Sequence, residues 1–459
     1  MDPTFGWTQP EQQGPALQLW QRIMDGLTEN QDYIPLTTGS SPSLESKYPT
    51  TYGGFPPPSL GGYPAEAPFS RYGGTPWIKP DRVYSDGIIK LHEEIEDFYE
   101  FIQPTEVEHE VRRFVLQLIK DVISDLWPQA ECKVFGSYFT GLYLPKSDVD
   151  LVVLGQWEAT PFATLTKALI QNNIANASDI RVLDKAAVPL VKFTEKTTGI
   201  KVDISFNQPN SVEAGKLIKN FCVTFPHLPK LLFVLKQYLQ QRGLNEVFTG
   251  GISSYSLILL IVSFFQLHSR PAEVRSNDGS VNLGTLLLEF LELYGRFFNF
   301  DIVGICIKGS GSLVEKSKLN LTTKPKEGGL CIEDPLTEGN DVGGKSYGMP
   351  TVKRSFDAAF ATLERAVHPS SKRIIDSKKS ILGRIIRISD DVLEERKRMQ
   401  RVYQDLRTLH GRGPPPTPLG HHHGRHHYHG NNLNNNNSNN NNNLNHHRYL
   451  NGSGGLVGC

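Results

Sequence analysis

The chain has 459 residues, and its 48 Lys plus Arg residues balance its 48 Asp plus Glu residues, so the formal net charge is zero. This length allows about two or three domains, and the charge balance excludes a protein whose overall positive field attracts nucleic acid. The 5 cysteines are scattered without a paired spacing, and the N-terminus lacks an apolar leader, which indicates a reduced, intracellular protein. The longest apolar run, residues 257–268, is too short for a membrane span, and it is predicted to be a buried helix.

Both ends of the chain have a biased composition. Residues 1–79 are rich in Pro, Gly and Tyr and hold one short amphipathic stretch, so we expect this region to be disordered. Residues 413–459 contain a His run and an Asn run, and we expect them to form a disordered low-complexity tail. The folded part is therefore predicted to lie between these two regions.

Between the tails, the predicted elements change from helical to β and back to helical. Residues 80–130 have a helical periodicity that Pro104 interrupts, which predicts two helices. In residues 131–210, strands are predicted at "ECKVF", at "DVDLVVLG" and on both sides of the Thr-Thr-Gly turn at 197–199. Residues 211–370 are predicted to be mainly helical. The predicted fold class is therefore α+β.

Two aspartates stand one residue apart at the start of the second predicted strand. Alternate side chains of a strand share a face, so Asp148 and Asp150 lie side by side and repel each other. Asp203 stands on a later strand, opposite an apolar stripe. Three acids on neighbouring strands suit two divalent cations, one holding a triphosphate and one activating a hydroxyl group. The alternative is that the Asp-Val-Asp sequence is only a turn cap or a solvated strand edge.

A Gly-Ser pair ends the first predicted strand. Gly136 would let backbone N–H groups approach a phosphate closely, and Ser137 would add a hydroxyl donor. An ordinary strand-to-helix turn is the alternative interpretation of this pair.

Several motifs resemble a known family. The stretch "FGSYFTGLYLPKSDVDLVV" resembles the signature of DNA polymerase β-like nucleotidyltransferases. The stretches "GGISSYSLILLIVSFFQLH", "LGTLLLEFLELYGRFFNF" and "LCIEDPLTEGNDVGGKSYGM" resemble Trf-type nuclear poly(A) RNA polymerases, the catalytic subunits of TRAMP-like RNA-surveillance complexes. The resemblance covers about residues 82–370. It implies a polymerase β-like palm in residues 131–210 and a helical central domain in residues 211–370, with a base-recognition loop at 331–349.

The resemblance also implies a reaction, the template-independent transfer of AMP from ATP to RNA 3′ ends. It implies that Asp148, Asp150 and Asp203 bind the catalytic Mg²⁺ or Mn²⁺ ions. The implied nucleotide-binding residues are Phe135, Gly136, Ser137, Ser211, Lys236, Ser254, Tyr255, Asp334, Asn340 and Gly344.

By the same resemblance, Phe135, Gly136 and Ser137 line the triphosphate, and Lys236 binds a phosphate. Lys236 follows two apolar residues on a helix that must be largely buried, which favours a specific anion partner. A position on a solvated helix face is the alternative for this lysine.

The base would be held by an aromatic ring and by a polar loop. Ser254 would meet the phosphates or the ribose, and Tyr255 would stack on the base, although a core tyrosine is the alternative. Asp334, Asn340 and Asp341 would contact the base edge. Relatives that transfer UMP have a histidine at the position of Asn340, so asparagine favours ATP.

Two positions depart from the family pattern. Ser211 stands where the family often has glycine, and Gly344 stands where it often has arginine. These departures concern nucleotide affinity and selectivity and leave the type of reaction unchanged.

No RNA-binding module is visible, so we expect RNA to be held with the help of partners. The resemblance implies a zinc-knuckle RNA-binding protein and a DExH helicase, and a location in the nucleus or nucleolus with some protein in the cytoplasm. Residues 371–412 are predicted to be a charged helical extension. Its basic stretch, residues 372–387, is a candidate for RNA phosphate contacts, a localisation signal or a solvated amphipathic helix.

Two other functions stay open at this level. One is a nucleotidyltransferase that uses another NTP or a small-molecule acceptor, and the other is an RNA-binding scaffold with weak or lost catalysis. The presence of all three acids argues against the scaffold, and the base-recognition loop argues against the small-molecule enzyme.

Overall fold

The computed structural model describes residues 74–186, 188–276, 281–369 and 379–410. Almost all of the two predicted tails lies outside these ranges. Residues 74–79, which the composition assigned to the N-terminal tail, belong to the folded part, because Trp77 is buried and packs edge-on against Phe98 with ring centroids 5.1 Å apart.

Two helices precede the first strand, as predicted. Helix α1 is Gly87–Ile102, and helix α2 is Glu106–Leu126. Pro104 lies between them because proline lacks the N–H group that would continue a helix. Thr105 then caps α2: its side chain accepts a hydrogen bond from the N–H of Glu108, and the Glu108 carboxylate accepts one from the N–H of Thr105.

Among the described residues, five strands form one mixed sheet in the order β1-β2-β5-β4-β3. Its elements in chain order are β1 Glu131–Phe135, α3 Gly136–Thr140, β2 Val149–Leu154, α4 Phe162–Gln171, β3 Arg181–Leu183, β4 Leu190–Thr194 and β5 Lys201–Phe206. The central pair β2 and β5 is parallel, and the other neighbours are antiparallel. The four predicted strands are confirmed. The edge strand β3 was not predicted. All three of its residues are exposed, so its sequence does not alternate between apolar and polar residues.

Helices form most of the following part of the chain, as predicted. They are α5 Pro209–Thr224, α6 Leu228–Gln240, α7 Ser254–Gln266, α8 Pro271–Arg275, α9 Leu283–Glu292 and α10 Met349–Val367. Helix α7 is buried along nearly its whole length, which confirms the predicted core helix. Within the described ranges, every helix is too short or too polar to span a lipid bilayer.

A second described sheet, with the order β7-β6-β8, was not predicted. Its strands are β6 Val303–Cys306, β7 Ser312–Glu315 and β8 Ile332–Glu333. β6 and β8 pair in parallel, and β8 is only two residues long, so its sequence carries no strand periodicity. This short strand lies at the start of the predicted base-recognition loop, residues 331–349.

Two hydrophobic cores organise the fold. The palm core consists of the apolar side chains of β2, β4 and β5 with those of α2 and α4. The central core consists of the apolar side chains of α1 and α6–α10 with those of β6. Leu142 and Leu144, which precede Asp148 in the chain, pack into the central core, so the segment that carries this aspartate joins the two domains.

The amphipathic helix predicted for residues 372–387 is not present in the described part of this stretch. Residues 372–378 lie outside the described residues, and the rest forms only a short 3₁₀ turn, Leu382–Arg384. The apolar side chains are nevertheless buried in the central core, at Ile381, Leu382, Ile385, Ile386 and Ile388. Tertiary packing buries these side chains although the segment is not an α-helix. Several of its backbone groups form hydrogen bonds with other parts of the protein. Helix α11, Asp390–His410, follows.

Candidate active site

Four residues form a row across the palm sheet. Asp150 on β2 pairs directly with Phe135 on β1 and with Asp203 on β5, and Asp203 pairs with Lys192 on β4. Residues in register on neighbouring strands stand about 5 Å apart. Asp148 lies two residues before Asp150 and immediately before β2 begins. The sheet therefore brings together the three acids that the sequence singled out.

The carboxylates repel one another. Burial, followed by the negative charges of Asp148 and Asp203, raises the pKa of Asp150 to about 8. Burial also raises the pKa of Asp203, although the ammonium group of Lys192, with which Asp203 forms an ion pair, opposes this effect. A cation bound between these side chains would stabilise the ionised forms of the Asp150 and Asp203 carboxyl groups.

The donor set fits a divalent cation shared with a nucleotide. Mg²⁺ is commonly held by one or two carboxylates together with phosphate oxygens and water. No three carboxylate, imidazole or thiol groups of the described residues form a complete metal cage by themselves. Asp203 is turned towards Lys192, so the carboxylates alone provide only part of a coordination shell, and substrate phosphates and water would have to supply the rest.

Gly136 is required for two structural reasons. Its φ angle is +67°, in the left-handed region that favours glycine. A Cβ atom at this position would stand 2.2 Å from Oδ2 of Asp150. The sequence suggested a role for this glycine near phosphate, and the structure adds that only a hydrogen atom leaves room for the Asp150 carboxylate. Ser137 follows it in the first turn of the short helix α3.

Lys236 is a buried residue of α6 and not part of a solvated helix face. Its Nζ donates a hydrogen bond to the carbonyl oxygen of Leu142 at 2.8 Å. Burial lowers the pKa of Lys236 to about 8, while the charges of Asp150 and Asp148 oppose the shift. The buried ammonium group of Lys236 interacts electrostatically with both carboxylates. It could therefore balance the charge of a phosphate group that binds beside them.

The start of α7 is bonded to the predicted base-recognition loop, residues 331–349. Ser256 Oγ donates a hydrogen bond to the carbonyl oxygen of Val342 at 3.2 Å. Ser254 is exposed at the first position of α7, and Tyr255 is half-buried. The hydroxyl oxygen of Tyr255 is buried and has no hydrogen-bond partner among the described residues, and burial, followed by the charge of Asp334, raises the pKa of this hydroxyl group. These contacts bring the predicted nucleotide residues of α7 next to the loop.

Within the loop, Asn340 Nδ2 donates a hydrogen bond to Oδ2 of Asp334 at 2.8 Å. Oδ1 of Asp334 accepts a hydrogen bond from the N–H of Leu336. One of the two N–H groups of the Asn340 side chain is thus engaged, which leaves the other N–H group and the side-chain oxygen for a ligand. Asp341 differs, because its Oδ1 accepts hydrogen bonds from the N–H groups of Ile332 and Gly343, both at 2.9 Å, and so fixes the loop.

The two positions that depart from the family pattern border the same loop. Ser211 lies in the first turn of α5, where the neighbouring Asn210 donates a hydrogen bond to Thr337 Oγ1 at 3.1 Å. A Cβ atom on Gly344 would stand 3.0 Å from Oδ2 of Asp341, so a larger residue there requires a small shift of that carboxylate.

Sequence reasoning missed Lys192. This lysine alternates with the buried Val191 and Phe193 on β4, so the strand pattern could have placed it on the same face as Asp203. The missing information was the register of β4 against β5, because the register decides which residues become neighbours.

A mixed sheet that carries three carboxylates on and beside its central parallel pair, joined to a mainly helical domain, defines a nucleotidyltransferase with the DNA polymerase β-like fold. Two family models match the chain. Residues 91–222 match the model of the mitochondrial-like poly(A) RNA polymerase central palm domain. Residues 282–340 match the model of the Cid1 family poly A polymerase.

Similar curated proteins match a larger share of the chain than the two family models do. An inactive non-canonical poly(A) RNA polymerase protein of Drosophila melanogaster, Trf4-2, is 41% identical over 341 residues, which are 72% of this chain and 83% of the relative. Poly(A) RNA polymerase cid14 of Schizosaccharomyces pombe is 35% identical over 342 residues, 72% of this chain and 50% of the relative. The chain therefore belongs to the Trf4- and Cid14-type family of non-canonical poly(A) RNA polymerases. It spans about half the length of cid14 and other relatives that are named as polymerases.

Solved structures agree with this assignment. The polymerase core of TRAMP, an RNA surveillance complex, matches with a TM-score of 0.57 and 35% identity, over 65% of this chain and 94% of the other. A histidine-to-asparagine mutant of the Cid1 poly(U) polymerase bound to MgATP matches with a TM-score of 0.52 and 21% identity, over 61% of this chain and 95% of the other, which shows the shared fold.

Proposed function

We propose that this protein transfers AMP from ATP to RNA 3′ ends without a template, using Mg²⁺ or Mn²⁺ bound by Asp148, Asp150 and Asp203. The observation that carries the proposal is the pairing of Asp150 with Asp203 in register, with Lys192 of the next strand, β4, paired to Asp203. When bound, the divalent ions neutralise the triphosphate and favour ionisation of the attacking hydroxyl group.

The protein's own residues supply position and charge. The turn at Gly136 and Ser137 faces Asp150 and would hold the triphosphate close to it. Lys236 would balance phosphate charge from the central domain, because its ammonium group is already buried near the carboxylates. Lys192 pairs with Asp203 and would supply positive charge beside the metal-binding carboxylates for the phosphate backbone of the RNA.

Base choice would follow from the hydrogen-bonding capacity of Asn340. One of its two amide N–H groups donates to Asp334, and this bond orients the side chain so that its oxygen can accept a hydrogen bond from a base. The exocyclic amino group of adenine is a donor, whereas uracil presents a carbonyl oxygen at the corresponding position. An acceptor therefore favours ATP over UTP. Tyr255 would stack on the base without discriminating between bases.

Partners and location are inferred from the family. Because the similar structures include the polymerase core of TRAMP, we infer that this chain also works in a complex with RNA. We further propose a zinc-knuckle RNA-binding protein and a DExH helicase as the partners, and the nucleus as the main location. Purification of a tagged chain from its own cells with identification of bound proteins, and imaging of the tagged chain, test these three proposals.

One observation favours a second function. A relative that shares 41% identity with this chain is named as inactive, so an RNA-binding scaffold is the alternative. The three carboxylates argue against loss of catalysis here, since burying them together is costly unless a cation is bound at least part of the time.

The deciding experiment incubates the purified full chain with oligo(A), Mg²⁺ and each NTP separately. We expect extension of the RNA with ATP, weak extension with the other nucleotides, and none by an Asp203→Asn variant. Extension by the variant would contradict the site assignment. RNA binding without extension by the wild type would favour the scaffold, and transfer only to small acceptors would favour the other enzyme.

A further inference from the structure

The C-terminal part of the described chain crosses from one hydrophobic core to the other. Ile381–Ile388 packs in the central core, whereas Met399 of α11 is buried in the palm core, with Val402 and Tyr403 packed against it. The two family models match residues 91–222 and 282–340, so neither includes this segment. Helix α11 thus packs as part of the palm domain, although it follows the central domain in the sequence.

Arg396 of α11 holds the junction between α1 and α2. Its Nη2 donates hydrogen bonds to the carbonyl oxygens of Ile102 at 3.0 Å and of Gln103 at 2.9 Å, and its Nη1 donates to that of Phe101. These are carbonyl groups that the end of α1 leaves without a helical partner. The guanidinium group of Arg396 also lies 3.4 Å from Oε1 of the buried Glu108, at the start of α2.

One turn further along α2, Arg112 holds the loop that leads to Asp148. Arg112 is almost completely buried, at 1% exposure. Its Nη2 donates hydrogen bonds to the carbonyl oxygens of Pro145 at 3.0 Å and of Ser147 at 3.2 Å, and its guanidinium group stacks on Tyr143. The same guanidinium group donates to the carbonyl oxygen of Glu108 at 3.3 Å. Contacts therefore run without a break from α11 to the residue that precedes Asp148.

A second contact joins α11 to the same loop directly. Lys146 forms an ion pair with Asp391, which lies in the first turn of α11. Leu142, at the other end of the loop, accepts the hydrogen bond of Lys236. The loop of residues 142–147 is consequently fixed by three elements, α2, α6 and α11, and the metal-binding aspartate is the next residue.

We propose that helix α11 is a positioning element of the active site, in which Arg396 and Asp391 set the place of Asp148 through Arg112 and Lys146. The physical reason is that a carboxylate that shares a metal with a nucleotide must be held accurately, and Asp148 precedes β2, outside the register of paired residues that holds Asp150 and Asp203 in the sheet. This proposal rests on the proposed function only in taking Asp148 as a metal ligand.

The test uses Mn²⁺ binding to the purified full chain, measured from the electron paramagnetic resonance of free Mn²⁺. An Asp148→Asn variant identifies the binding that belongs to this site. Arg396→Met is compared with Arg401→Met, and Asp391→Asn with Asp405→Asn, because Arg401 and Asp405 are exposed residues of the same helix. Amide hydrogen exchange in residues 142–147 and the free energy of unfolding are measured on the same samples.

We expect the Mn²⁺ dissociation constant to rise about 2- to 5-fold in Asp391→Asn, as for the removal of one exposed ion pair. In Arg396→Met we expect a rise of roughly 3- to 10-fold, the usual size of coupling between contacting groups. Exchange in residues 142–147 should accelerate in both variants, and both matched controls should behave like the wild type. Exchanging the charges in a Lys146→Asp/Asp391→Lys double variant should restore Mn²⁺ affinity.

Unchanged Mn²⁺ affinity together with a lower unfolding free energy would mean that α11 only stabilises the fold, and this result would overturn the proposal. Equal changes of Mn²⁺ affinity in the variants and their controls would also overturn the proposal. The same holds for a double variant that binds Mn²⁺ as weakly as Asp391→Asn does. If Arg396→Met does not fold, the Asp391 and Lys146 variants still decide, because both residues are exposed. A wild type that transfers no AMP would overturn the proposed function, whereas the Mn²⁺ and exchange measurements would still decide the role of α11.

Discussion

Gly136 and Asp150 are in such close contact that the glycine has no room for a side chain, since a Cβ atom would stand 2.2 Å from Oδ2 of the aspartate. The turn that would hold the triphosphate and the carboxylate that would bind the metal are therefore one packed unit. A change in either position alters the other.

Gly136→Ala should therefore abolish most activity while leaving a folded protein. The left-handed backbone costs alanine about 1 kcal/mol of unfolding free energy, and displacement of Asp150 should lower kcat by about 100-fold or more, as misplacement of reacting groups by about 1 Å does. The control is Gly141→Ala, because Gly141 has a φ of +75° and open space around its Cβ position. Equal activity of the two variants would show that only the backbone strain matters.

Asp148→Ala and Asp150→Ala should each reduce nucleotide addition to background without loss of stability. Burial and repulsion raise the pKa of Asp150 to about 8, so its removal relieves a cost that the native state bears at neutral pH. The measurement is extension of oligo(A) beside urea unfolding of the same samples. Near-normal tailing by either variant would contradict the two-metal assignment.

Asn340→His should shift nucleotide choice from ATP towards UTP. The imidazole would present a donor where the asparagine oxygen accepts, and the exchange of one base-edge contact is worth about 1–3 kcal/mol of discrimination. Competition between ATP and UTP for the same RNA measures this shift. The variant keeps Asp334 unchanged, because the hydrogen bond between Asp334 and the side chain of residue 340 orients the base-reading group. An unchanged ATP:UTP ratio would count against Asn340 as a base reader.

The pH dependence of stability should report on Glu94. This buried carboxylate accepts hydrogen bonds from Ser380 Oγ and from the N–H groups of Ile381 and Leu382, and Lys90 lies 4.0 Å away. Burial raises its pKa above the unfolded value of 4.5, although these contacts oppose the shift. The native state therefore binds the proton more tightly than the unfolded chain does.

The stability that this proton contributes is fully present below the unfolded pKa and is lost as pH rises through the raised native pKa. We expect the unfolding free energy of the wild type, relative to Glu94→Gln, to fall across that window and then to level off. Urea unfolding over roughly pH 4 to 8 measures the difference. Glu158→Gln, at an exposed position, is the control, and a flat difference would show that the Glu94 proton is not linked to folding.

The basic stretch, residues 372–387, should contribute to RNA binding if its charges meet phosphates. Changing Lys372, Arg373, Lys378 and Lys379 to Gln should then weaken RNA binding and flatten its salt dependence, by roughly one unit of slope for each phosphate group that the variant no longer neutralises. ATP affinity should stay the same. RNA affinity across a salt series measures the effect, and parallel lines of equal affinity would show that RNA is held elsewhere.

The sequence by itself determined the features that depend on local periodicity. Pro104 divides two helices, short strand patterns mark β1, β2, β4 and β5, and the apolar run at 257–268 forms a buried helix. The period of two along a strand placed the acids on strand faces, because the direction of a side chain follows from its position along a strand. Local motifs also carried the resemblance to the family.

Only the tertiary structure decided which of these features meet. The parallel pairing of β2 with β5 brings Asp203 beside Asp150, although α4, β3 and β4 lie between them in the chain. The antiparallel pairing of β4 with β5 makes Lys192 the neighbour of Asp203 on its other side. The two-residue strand β8 and the docking of α11 on the palm have no local signal, since contacts with distant residues stabilise them. Burial of Lys236 near the carboxylates has the same origin, because it depends on how the two cores pack together and not on the neighbouring sequence.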